Sequence, residues 1–137
     1  MLFDIKTLAT INLMVQSLLL GMVLVAAYLA KRRRQLIRHC KIVRWAVVVQ
    51  LLTIFLMMSP SMFGYLKSPG QTVLKTEMLI HHSLGILLVL LWVYINLAVM
   101  GRVRVLGKLA MYMRTALLLW VVAFLLGLHL YFQIYLS

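Results

Sequence analysis

The chain has 137 residues, of which 65% are hydrophobic and only 12% charged. Soluble domains carry roughly 45–50% apolar and about 25% charged residues, so a water-soluble domain, a disordered chain and a secreted disulfide scaffold are all excluded. The formal charge of +12 comes from 14 Lys and Arg set against two acids, Asp4 and Glu77. Those bases lie between apolar runs, which reads as topology signal and lipid headgroup contact and not as nucleic-acid binding. The single Cys40 can close no intrachain disulfide.

The first apolar run extends from about Leu8 to Ala30. It is longer than a signal-peptide core, has no basic segment ahead of it and no small-residue cleavage site, so it reads as a retained span. The second extends from about Trp45 to Phe63, with Pro60 placed to end or kink it. The third runs from about Met78 to Met100 and the fourth from about Thr115 to Tyr135. The runs are continuous and lack the two-residue alternation of a barrel strand, so each predicts a helix. At about 20 residues per span, four spans use nearly all of a single transmembrane domain over 1–137 and leave no length for a soluble catalytic domain.

Eleven of the 14 bases fall in two connections. Lys31, Arg32, Arg33, Arg34, Arg38, Lys41 and Arg44 fill the first, and Arg102, Arg104, Lys108 and Arg114 the third. Lys6, Lys67 and Lys75 are all that remain for the other side. The asymmetry predicts both termini outside a cell membrane. With the turn signal Pro69-Gly70 in a short outer segment, Gly64 to Thr76, the expected fold class is all-α, an integral membrane up-down-up-down four-helix bundle.

Polar groups inside the spans are the informative ones, because they are costly there. His39 is expected in the basic loop, solvated at the inner interface. His81 and His82 lie about one turn into the third span, and His129 about two turns before the outer end of the fourth. Counting at ~1.5 Å per residue puts these at similar depth in the outer leaflet, with Asn12, Gln16, Ser17, Ser59 and Gln133 in the same layer. Gln50 and Asn96 are counted to the inner half.

Two imidazoles on different helices at one depth suit the two axial positions of a haem iron. Gly85 and Gly127, close to His82 and His129, leave room for a porphyrin edge, and the outer lysines could meet its propionates. A quinone ring held by His, Asn and Gln hydrogen bonds fits the same layer. So does plain interhelical hydrogen bonding without any ligand. Periodicity does not choose between His81 and His82, since neighbours differ by only ~100° around a helix. Met57, Met58 and Met62 read as apolar filler, with Cu(I) binding the alternative. There is no Walker loop, no Gly-x-Ser-x-Gly, no CxxCH and no intramembrane carboxylate pair, so hydrolysis, phosphoryl transfer and c-type haem attachment lack their parts.

The basic loop leading to His39, Leu79-Ile80-His81-His82 opening the third span, and Trp120, Gly127 and Tyr131 in the fourth resemble the CtaM/YozB-like family over about residues 31–136. These are small four-helix membrane proteins with a domain of unknown function, linked to assembly of haem-copper terminal oxidases. The resemblance implies that His39 matches the family's loop histidine and His82 its third-span histidine. The family's further loop histidine is replaced here by the stretch at Gly107-Lys108, and His129 has no counterpart in it. The expectation is a b-type-haem-binding electron-transfer subunit of a larger respiratory or quinone-linked complex. His82 and His129 are its axial ligands, His81 competes for the first position, and Asn12 and Gln16 are supporting donors. The alternative is a cofactor-free assembly or accessory subunit of such a complex.

Overall fold

The computed structural model describes residues 4–67, 69–70 and 72–137. All regular structure among the described residues is helical. Four helices are long and apolar enough to cross a membrane: Ile5–Lys31, Leu36–Lys67, Thr72–Val99 and Leu109–Leu136. They are called the first to fourth helices below. At ~1.5 Å per residue each reaches beyond a hydrocarbon core of about 30 Å.

The helices extend past the apolar runs at several ends. Arg38, Lys41 and Arg44 stand on the opening turns of the second helix, and the first connection shrinks to Arg32–Gln35. Gly64–Lys67 and Thr72–Thr76 are helical too, which leaves Pro69 and Gly70 between the second and third helices. Ser68 and Gln71 of the expected outer segment lie outside the described residues. Hydropathy marks the part of a helix that suits hydrocarbon, whereas backbone hydrogen bonding continues into the headgroup zone, where charged side chains are solvated.

Pro60 does not end the second helix. It lacks the N–H that would pair with the carbonyl one turn back, and its ring crowds that carbonyl. The preceding turn, Ile54–Met58, widens to a π-helix, and both the backbone N–H and the hydroxyl of Ser59 donate to the Ile54 carbonyl.

The chain divides into two compact units, Met1–Gln71 with Ile134–Ser137, and Thr72–Gln133. The first is built on the antiparallel pair of first and second helices. Gln16, Leu19, Val23 and Ala26 are its buried stripe on one helix, Ala46, Gln50 and Thr53 on the other. These steps of three and four residues are those of a coiled-coil seam. Ala26 and Ala46 are wholly buried, and small residues let the backbones approach.

The second unit is the pair of third and fourth helices. Met78, Leu88 and Trp92 are buried against Ala116, Trp120, Ala123 and Leu130, and the two indoles meet edge to face at 4.7 Å between centroids. Gly101, at φ 73°, closes the third helix: its N–H donates to Ala98 and that of Arg102 to Leu97, satisfying the last carbonyls. The following loop is clasped by two tyrosines. Tyr94 donates to Arg104 and accepts from the Leu106 N–H, while Tyr112 donates to the Leu106 carbonyl at 2.6 Å.

Candidate functional site

The third helix packs through Met78, Leu88 and Trp92, with His81 and Gly85 half-buried at the intervening heptad positions. His81 therefore turns toward the fourth helix. Its ring fills the space a side chain at Gly127 would occupy, with Cε1 2.9 Å from where a Cβ would stand. Gly127 was expected to admit a porphyrin edge, and its notch is taken by His81 instead. The other glycine does keep open space: nothing lies within 4 Å of a Cβ built on Gly85.

His82 stands one step further round. Its Nδ1 is 2.9 Å from the Met78 carbonyl, which can only accept, so Nδ1 carries the proton. In the neutral ring Nε2 then holds a lone pair, and this atom is buried with no hydrogen-bond partner. A metal-ligating histidine is oriented in this way, its outer nitrogen donating to a carbonyl so that the other faces the metal. His81 Nδ1 and Trp120 Nε1 are likewise buried and unpaired.

His129 Nδ1 lies 3.1 Å from the Glu77 carboxylate, an ion pair if the ring is protonated, and about half of its side chain is exposed. Sequence reading passed over Glu77 because it precedes the apolar run. The helix starting at Thr72 brings it in, one turn ahead of His81. A carboxylate on Nδ1 also leaves Nε2 free for a metal.

The structure does not bring His82 and His129 together. Glu77 and His82 are five residues apart, about 140° around the third helix at ~100° per residue. The packed face lies between them, so His129 with Glu77 occupies one flank of the hairpin and His82 the other. Among the described residues no hydrogen bond or ring contact joins the two histidines, and no cluster of three or more His, Cys, Asp or Glu forms. The expected ligand pair is therefore not assembled within this hairpin, and His82, with Nε2 unpartnered, is the residue that could hold a haem iron.

In the first unit, Gln16 joins its neighbours. Its Nε2 donates to Gln50 Oε1 at 2.6 Å and Thr53 Oγ1 at 3.2 Å, with Asn12 Oδ1 at 3.5 Å. Gln50 is thus level with Gln16 and not in the opposite half. Arg33 lies midway between them in sequence, and the tight turn there makes equal counts meet. Asn12 and Gln16 spend these groups on an amide network within their own hairpin. Gln16→Leu is expected to lower stability by about 1 kcal/mol, the usual range for interhelical hydrogen bonds in membranes. Thermal unfolding in detergent reads this, and an unchanged midpoint removes the network as a stabilising element.

His39 is also not a solvated loop residue. It is half-buried on the second helix, with Nδ1 2.9 Å from the Ala26 carbonyl, and pins the start of that helix to the end of the first.

No family model, no curated protein and no solved structure matches this chain.

Proposed function

We propose that the chain is a membrane-embedded b-type-haem-binding subunit that passes electrons within a larger respiratory or quinone-linked complex. The observation that carries the reading is His82: Nδ1 held by the Met78 carbonyl, Nε2 buried and unpartnered. Haem b supplies a one-electron iron couple when bound. The chain's own part is to fix the ligand tautomer at His82, to keep water from Nε2, and to leave open space over Gly85, one turn along the same helix. A second ligand would have to come from another chain, and His129 of a second copy is the histidine this sequence offers for it. Glu77 orients that ring as Met78 orients His82.

The same polar groups support a second reading, a cofactor-free assembly or accessory subunit. The Glu77–His129 pair and the Gln16–Gln50–Thr53 network satisfy one another with no ligand. This is the role that the resemblance to the CtaM/YozB-like family implies. A reduced-minus-oxidised spectrum of the chain gently extracted from native membranes separates the two: a b-type α-band supports haem, and a colourless preparation supports the accessory role.

In either reading the chain threads up-down-up-down through the cell membrane with both termini outside, on the strength of the base asymmetry. Reporter fusions at Gln35 and Lys108 are expected to read inside, and those at Pro69 and Ser137 outside. Reversal at any two sites overturns that orientation.

A further inference from the structure

The first unit carries a charge imbalance at one end. Lys31, Arg32, Arg33, Arg34, Arg38, Lys41 and Arg44 crowd the connection and the opening turns of the second helix. Asp4 is the one acid of this unit, and it stands at the far end of a 27-residue helix, ~40 Å away at ~1.5 Å per residue. No ion pair reaches these bases among the described residues. Their neutralisation has to come from outside the chain.

The surface beside them is apolar as well as basic. Leu36, Ile37, Cys40, Lys41, Arg44 and Trp45 line an open groove of about 670 Å³. They recur at steps of four residues in two adjacent rows, so they form one continuous face of the second helix. Ile37 is 87% exposed, and Leu36 and Trp45 more than half. The apolar face continues inward through exposed Val48, Val49 and Leu52. Two cations are thus set between apolar walls, within a turn of a tryptophan. Tryptophan favours the level where hydrocarbon meets headgroups.

We propose that this face of the second helix is a binding site for one anionic phospholipid. The phosphodiester lies between Lys41 and Arg44, the glycerol backbone against Trp45, and an acyl chain along Val48, Val49 and Leu52. A soluble anion would use the two cations and leave the apolar walls wet. An acidic protein segment would use the charges and have no need of the continuous face leading into the hydrocarbon. An amphiphile with a negative head uses both. The site is independent of any haem, since it belongs to the first unit and uses none of the histidines.

The test is native mass spectrometry of the full chain released from detergent micelles, titrated with phosphatidylglycerol or phosphatidylcholine. One phosphatidylglycerol is expected to stay bound at concentrations where phosphatidylcholine does not. Lys41→Gln with Arg44→Gln should weaken that retention about thirtyfold, the effect of two bases at a charged surface. Arg102→Gln with Arg104→Gln, the same charge loss elsewhere, should leave it unchanged. Trp45→Ala should weaken it with no change of charge. All these side chains are exposed, and helical circular dichroism confirms that the variants fold. Equal retention of the two lipids overturns the proposal. So do equal effects of the two double variants, displacement by millimolar inorganic phosphate, or displacement by a poly-glutamate peptide.

Discussion

His82→Ala abolishes haem binding, and His129→Ala does the same, when each variant is expressed with ample haem and its visible spectrum is recorded. Each change would take away one of the two histidines proposed to hold the iron, and a haem held by the other alone would be lost more readily. His39→Ala leaves the spectrum intact, because that ring is occupied in the first hairpin by the Ala26 carbonyl. His81→Ala leaves the ligand set intact as well, since the His81 ring is packed against Gly127 and not on the flank of His82. The flank geometry adds a sharper expectation. Because His82 and His129 stand on opposite sides of one hairpin, a haem held by both would, in the reading proposed above, take one from each of two copies. Co-expression of the His82→Ala and His129→Ala chains therefore restores roughly half of the haem in mixed dimers, since a two-fold pair builds two such sites and the mixed pair retains one intact. If both ligands came from one chain, the mixture would stay as haem-free as either variant. Recovery of no haem in the mixture refutes the sharing, and loss in neither single variant refutes both ligands.

Gly127→Ala destabilises the second hairpin by about 1–3 kcal/mol, the usual cost of an added methyl group in a filled space. The new Cβ would lie 2.9 Å from His81 Cε1, closer than packed side chains tolerate. All three ring atoms nearest that Cβ belong to His81, which is half-buried against the fourth helix, so the added methyl has to displace a packed ring. Gly85→Ala has the opposite sign. Nothing lies within 4 Å of its Cβ, and alanine is favoured over glycine in a helix by about 1 kcal/mol. Adding His81→Ala to Gly127→Ala removes the clash, so the double variant is more stable than the sum of the singles. Unfolding in detergent reads all four proteins. Equal effects of the two glycine changes, or simple additivity with His81→Ala, contradict the packing described.

The four helices were legible because each carries an apolar run long enough to cross hydrocarbon, a requirement that few other patterns meet. Their ends were not. Arg38 and Lys41 lower the local hydropathy without lowering helix propensity, so the second helix begins nine residues before the apolar run at Trp45. The misplaced start also put Gln50 in the wrong half, and with it hid the Gln16 network. The turn between His81 and His82 was illegible for a different reason. Adjacent residues share the same local pattern, and the choice is made by the absence of a side chain at Gly127, far along the chain. Glu77 was missed because a carboxylate at the edge of a span looks like solvated boundary until a partner 52 residues away meets it. His129 itself stood out, being ionisable inside an apolar run, but no local signal tells which flank of a hairpin such a residue takes.

The haem reading rests on His82 Nε2, a buried lone pair without a hydrogen-bond partner. Titration of haem into the purified, cofactor-free chain, followed at the Soret band, tests it most directly. A saturable rise is expected, ending at one haem per chain with a low-spin bis-imidazole spectrum, preserved in His81→Ala and absent in His82→Ala. A rise that never saturates, or one that is the same in His82→Ala as in the parent, contradicts it.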